Sequence, residues 1–217
     1  MRLAPLLLLF WLPFVAVAGA VHAQGRDFIP ERAYQHQRFA FAVWRDTLGH
    51  HAPLATLAAQ VHKESSWRQD ARSPFAHGLA QFTPATAQDI CRWYPELRPC
   101  DTGDPRWSLR AQAVYMKRLM NRWPDAAEPW LFGLAGYNSG PGWTDRSRAV
   151  CRSEDCCDPE RWAGHVEQAM DSRHAGWAFG ENREYVRRIV ADLGPMYERA
   201  GWGKAVPVPM VWQCLGG

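Results

Sequence analysis

Glu64 is the residue whose position most needs a reason. Leu54, Leu57, Ala58 and Val61 fall at i, i+3, i+4 and i+7, the spacing of an apolar helical stripe. Glu64 follows Leu57 by seven positions, which puts its carboxylate on that same face. It also falls at the predicted end of the helix, where unsatisfied carbonyls carry partial negative charge. Burial and the helix end both disfavour the ionised form, so the expected pKa is raised. A carboxyl that stays protonated near neutrality can act first as a general acid and then as the base. The plainer alternative is a boundary glutamate that reaches water or pairs with a Lys or Arg, and periodicity alone favours it.

Other chemistries find less support. Asp70 lies six residues after Glu64 in a predicted loop and is a poor second catalytic carboxylate. His50-His51 and His62-x-Glu64 do not form the H-E-x-x-H motif of zinc proteases. Gly140-Pro141-Gly142 reads as a turn and not as a phosphate loop. The cluster Cys151-x4-Cys156-Cys157 lacks zinc-knuckle spacing. No metal and no cofactor is implied.

The elements that must position Glu64 are helical. Tyr34, Phe41, Trp44 and Leu48 predict a first helix ended by Gly49, and Pro53 is placed as the first residue of the next. Thr83-Pro84 and Asp104-Pro105 each read as a cap followed by a first-turn proline, Glu128-Pro129 opens a short apolar helix through Ala135, and Asp158-Pro159 opens another. A last helix is predicted from about Glu181, with Pro195 expected to kink or break it. Trp67 has core spacing. The tail Val206-Pro207-Val208-Pro209 reads as extended. No alternating strand or Asn-Gly hairpin is present, though a small β ribbon could form within residues 71–82. The reading is all-α, one domain of about seven helices.

Composition agrees with a globular chain: 217 residues, 47% hydrophobic and 22% charged. A formal charge of +3 is too small a surplus to argue for nucleic-acid binding, and suits an anionic matrix only weakly. Arg2 precedes a charge-free run from Leu3 to Val21, which ends in the small-x-small pattern Val21-His22-Ala23. Residues 1–23 are expected to be a signal peptide cleaved after Ala23, leaving no stable membrane span; an uncleaved anchor is the alternative. Export implies an oxidising compartment, periplasmic or extracellular, so the six cysteines are read as disulfides. Cys91 and Cys100 bracket a Pro-containing loop and are the expected pair, worth roughly 3 kcal/mol. Cys151 is expected to take Cys156 or Cys157, leaving the other for Cys214. Residues 24–204 form the expected domain, with a Cys-rich insert near 143–180 and a Pro-rich tail over 205–217.

Four blocks then raise the standing of Glu64. They are Glu64-Ser65-Ser66-Trp67 with Ser73-Pro74, Gly78-Leu79-Ala80-Gln81-Phe82-Thr83-Pro84-Ala85-Thr86-Ala87, Ala135-Gly136-Tyr137-Asn138-Ser139-Gly140, and Glu181-Asn182-Arg183-Glu184-Tyr185-Val186. In this order they resemble the soluble lytic transglycosylase (SLT) family, whose domain has a lysozyme-like, goose-type fold. Two departures stand out: the Ser73–Gln81 stretch is one residue shorter than the family pattern, and Ala80 replaces its Met.

The resemblance implies cleavage of the MurNAc-β-1,4-GlcNAc bond of peptidoglycan to 1,6-anhydromuramyl products, with Glu64 as the single acid and base. It places Ser73 and Gln81 along the groove, and Tyr137 near the acid, within reach of saccharide or carboxyl. Asn138 is expected to brace the loop before Gly140. Glu181 is a supporting carboxylate close to the acid, and Tyr185 is expected to pack. The implied partner is the peptidoglycan glycan strand, met by a monomer, with a possible place in an envelope, secretion, conjugation or phage machine. The alternatives are a goose-type hydrolase of the same bond and a peptidoglycan-binding structural part of such a machine.

Overall fold

Two helices lead up to Glu64, which lies half-buried near the end of the second. The computed structural model describes residues 28–213, apart from 170, 174 and 175. α1 (Glu31–Leu48) stops at Gly49, as expected, and α2 (Leu54–Ser65) follows. Pro53, predicted as its first residue, takes the N-cap position instead. Every residue of α2 from Leu54 to Val61 is buried, so this helix is a core element on all sides and not an amphipathic one. Trp67, just beyond it, is buried as predicted, and its indole N–H donates to the Tyr197 hydroxyl at 2.7 Å.

The proline-marked starts mostly hold. α3 (Pro84–Trp93) is capped by Thr83, whose hydroxyl accepts the Thr86 N–H at 3.1 Å. α4 (Pro105–Met120) is capped by Asp104, which accepts the Arg106 N–H at 2.8 Å. α5 (Pro129–Ser139) buries Leu131 to Gly136 and packs between neighbours on several sides.

α6 (Pro141–Arg152) stands where the sequence reads as a turn leading into a Cys-rich insert. Its buried stripe is Thr144, Ser147, Arg148 and Cys151, which has helical spacing but polar chemistry. The Arg148 guanidinium makes that stripe possible. It donates to Asp125 at 2.9 Å and to the Pro159 carbonyl at 2.8 Å, and lies over the Phe132 ring.

The helix predicted from Asp158-Pro159 does not form. Only a 3-10 turn, Val166–Gln168, appears there. The N–H groups of Trp162 and Ala163 donate instead to the Glu128 carboxylate, at 2.8 and 3.0 Å. The Gly164 N–H goes to Glu167, and Gly164 has φ of 76°, outside any helix. Carboxylates have taken the donors that a helical ladder would need.

α7 (Gly176–Arg187) starts five residues before the predicted point. It runs through a π-helical turn (Arg188–Leu193) into α8 (Gly194–Arg199). Pro195 therefore does not end the helix: it falls in the first turn of α8, where a missing N–H costs least, behind the widened π turn.

The architecture is all-α, as expected. The ribbon expected within residues 71–82 reduces to two isolated antiparallel bridges, Arg72–His77 and His77–Phe82. Cys91 pairs with Cys100, and Cys151 with Cys157. Cys156 is an exposed free thiol, and Cys214, like the predicted signal peptide, lies outside the described residues. The Pro-rich segment carries no regular structure through Pro209, after which a short helix, Met210–Gln213, forms. It packs back on the domain: Val206 N–H donates to Thr56 Oγ1 at 2.8 Å, and the Trp212 indole donates to Glu167 at 2.8 Å. Among the described residues no helix is long and apolar enough to cross a membrane.

Candidate active site

Glu64 occupies the last turn of α2 and borders a groove of about 370 Å³. Burial is the main cause that pushes its carboxyl up to about 7. A hydrogen bond from Tyr185 and the Lys63 charge pull it down, and Glu181 pushes it up. The carboxyl thus titrates in the range where it can both give and take a proton.

The expected site residues do meet around this groove. Ser73, Gln81, Tyr137, Asn138, Glu181 and Tyr185 all line it with Glu64, and so does Tyr115, which the sequence did not single out. Asp70 is exposed and is not among the lining residues. Among the described residues no cluster of His, Cys, Asp and Glu could hold a metal ion.

One wall is the short loop from Ser73 to Gln81. Ser73 Oγ accepts the Ala76 N–H at 2.9 Å and the Phe75 N–H at 3.3 Å. Gln81 Nε2 donates to the carbonyls of Ala71 and Gly78, at 3.1 and 2.9 Å. Both side chains knit the loop together while lining the groove. The Tyr137 hydroxyl donates to the Ala80 carbonyl at 2.7 Å, tying α5 to the same loop. Burial, and then the Glu64 charge, hold this phenol well above its ordinary pKa, so it stays a neutral donor.

The other wall comes from α7. Asn138, expected to brace the loop before Gly140, has its side-chain partner on α7. Its Oδ1 accepts from Asn182 Nδ2 at 3.0 Å, and the same nitrogen donates to the Ala135 carbonyl at 2.9 Å, which clamps α5 to α7. Glu181 is exposed at the groove rim and not buried against Glu64.

Tyr185 does more than pack. It is buried, and its hydroxyl donates to Glu64 Oε1 at 2.5 Å. Burial, followed by the Glu64 and Tyr137 charges, raises its own pKa well above the ordinary value, so the phenol keeps its proton. Behind it stand two fully buried amides. Gln60 Nε2 donates to the Tyr185 oxygen at 3.3 Å, and Gln112 Nε2 donates to Gln60 Oε1 at 2.8 Å. Gln60 precedes Glu64 by one helical turn, inside the apolar stripe. A polar residue at such a position is the signal that could have marked it.

The sequence can now be set beside known proteins. The family model described as the transglycosylase SLT domain matches residues 44–155. A protein named membrane-bound lytic murein transglycosylase F from Vibrio cholerae is 32% identical over 146 residues, covering 61% of this chain and 26% of that protein. Proteins of the same name from Yersinia enterocolitica and Pasteurella multocida are 36% and 34% identical over 110 residues, each covering 49% of this chain and 21% of the relative. The chain thus spans about a quarter of the length of the relatives it matches. The family model covers half of this chain, and the all-α fold and the grouped motif residues agree with it: the chain belongs to the SLT-domain transglycosylase family.

Proposed function

We propose that this protein cleaves the β-1,4 bond between N-acetylmuramic acid and N-acetylglucosamine in peptidoglycan without water. The observation that carries this reading is one carboxyl, Glu64, half-buried at a groove, lifted by desolvation to about 7 and pinned by Tyr185. The relatives' names, lytic murein transglycosylase, support murein as the substrate and a transglycosylase reaction.

In the first step Glu64 gives its proton to the glycosidic oxygen, and the bond from that oxygen to the muramyl anomeric carbon breaks. The N-acetyl oxygen of the muramyl unit shares the positive charge that develops. The ionised Glu64 then takes the proton of the muramyl 6-hydroxyl, and that oxygen bonds to the anomeric carbon. The products are a 1,6-anhydromuramyl end and a free 4-hydroxyl, and Glu64 is protonated again. The nucleophile belongs to the substrate, so the proximity advantage is built in. Ser73, Gln81, Tyr137 and Asn138 would contact saccharide from the groove walls, with Glu181 at the rim. An envelope location, after removal of residues 1–23, is supported by the two disulfides. A domain of residues 24–204 acting as a monomer, and local wall opening for a secretion, conjugation or phage machine, belong to the same reading.

Digestion of purified sacculi, followed by mass spectrometry of the products, tests it. Anhydromuramyl ends are expected. Reducing ends would replace the proposal by hydrolysis, with Glu181, the second carboxylate lining the groove, to examine first. Binding without cleavage would leave a structural role in the wall.

A further inference from the structure

The two amides behind Tyr185 have a direction that can be fixed from one end. The Leu57 carbonyl can only accept, and Gln112 Nε2 donates to it at 3.1 Å. The same nitrogen donates to Gln60 Oε1 at 2.8 Å, so Gln60 must turn its NH2 toward Tyr185. That NH2 has a second acceptor in Met116 Sδ at 3.6 Å. The Tyr185 oxygen therefore receives one hydrogen bond, and its only proton is left for Glu64 Oε1. Reversing either amide would set carbonyl against carbonyl at Leu57, or give the phenol a second acceptor and leave Oε1 without its donor.

We propose that Gln112 and Gln60 are positioning residues that polarise this chain, keeping Glu64 Oε1 an acceptor so that the transferable proton resides on Oε2. The proposal rests on Glu64 being the acid, and concerns how its proton is placed. Gln60 also strengthens Tyr185 as a donor, because a phenol oxygen that accepts a hydrogen bond gives its own proton more readily.

The test is a double-mutant cycle read on the pH profile of kcat/KM. The basic limb of that profile reports loss of the proton from Glu64. Tyr185→Phe removes a donor to the carboxylate and is expected to move the limb to higher pH. Gln60→Met, which conserves length, is expected to move it the same way by roughly half a unit to one unit. In the Tyr185→Phe background Gln60→Met should move it no further. A shift of equal size in both backgrounds, or none in either, overturns the proposal. Gln112→Met, which releases the Gln60 amide, carries the same expectation should Gln60→Met fail to fold. Cleavage that survives Glu64→Gln would instead overturn the assignment of the acid.

A different observation points to a second binding site. Asn138 and Glu181 line the catalytic groove and also a neighbouring recess of about 400 Å³ that contains Trp143, Arg173 and Trp177. Trp177 is 76% exposed, an unusual place for an indole without a ligand. Pyranose rings present an apolar C–H face that indoles cover well, with the polar edge left for Arg and Asn. We infer that this recess takes one further hexosamine of the glycan strand, stacked on Trp177. Trp177 lies outside the stretch matched by the family model, so the platform is not part of that match.

Trp177→Ala is expected to raise KM for long strands about tenfold, leave kcat unchanged, and leave the shortest cleavable fragment unaffected. Equal effects at all lengths would overturn the subsite. Should no strand be cleaved, indole fluorescence on titration with chito-oligosaccharides gives an independent readout. A change that disappears in Trp177→Ala supports the subsite, and its absence overturns it.

Discussion

Glu64→Gln is expected to lose cleavage of sacculi and, at pH 8, to melt at a higher temperature than the parent. The loss follows from removing the proposed proton donor and should be roughly 10²–10⁴-fold or more. The gain follows from linkage. The folded carboxyl titrates at about 7, against an ordinary value of 4.5, because burial penalises its charge. Below pH 4.5 the group is protonated in both states and contributes nothing. Between pH 4.5 and 7 the folded state holds a proton that the unfolded state has released, so stability falls as pH rises. Above pH 7 the whole cost is present, about 3 kcal/mol at most. The glutamine cannot ionise, and escapes that cost while still accepting from Tyr185. Melting curves at pH 4 and pH 8 check this. Equal differences at both pH values would mean that Glu64 is not held against its charge.

Gly78→Ala is expected to be the most damaging small substitution near the groove. A Cβ there would lie 1.8 Å from the Thr102 carbonyl oxygen and 2.9 Å from its carbon, and φ is +78°. Neither partner is free to yield. Thr102 O accepts from Ser108 Oγ at 3.1 Å, and Gly78 N–H donates to the Ala71 carbonyl at 2.9 Å. The methyl must push the Ser73–Gln81 loop away from residues 101–104, which also opens one wall of the groove. A loss of about 3–5 kcal/mol is expected, together with most of the activity. Gly142→Ala is the control: its Cβ meets nothing within 4 Å, and it lies in the first turn of α6. That change should be neutral or stabilise by about 0.5–1 kcal/mol. Similar denaturation midpoints for the two variants would refute the argument.

The helical starts were legible because a polar cap followed by proline is a local signal. Thr83 and Asp104 act as such caps. Glu128 shows the limit of local reading. It precedes Pro129 as a cap would, yet its side chain does not cap α5 and instead binds two N–H groups 34 and 35 residues away. That distant use prevents the helix that Asp158-Pro159 advertises. α6 was hidden because its inward face is polar, with Arg148 satisfied by partners that only the fold brings near. The site divides in the same way. Glu64 stood out because a carboxylate on an apolar stripe breaks a periodic pattern, and the motif blocks brought the groove residues with it. The amides behind it were not legible, because the Gln60–Gln112 bond joins positions 52 apart and the Gln60–Tyr185 bond positions 125 apart. The motif position of Tyr185 predicts packing, and burial does hold its ring, but its hydroxyl also reaches Glu64, which the spacing does not reveal.

The first turn of α2 is completed by residues 204–206. The Ala55 N–H donates to the Lys204 carbonyl at 3.1 Å, and Thr56 Oγ1 receives the Val206 N–H across 150 positions. Helix N-termini otherwise leave such donors unmatched. A nascent chain emerging from the ribosome has residues 54–65 long before it has residues 204–206. The contact that closes this end bridges a loop of nearly the whole domain and carries the entropy cost of one. Order of synthesis is therefore not order of completion: the segment bearing Glu64 emerges early and is finished among the last.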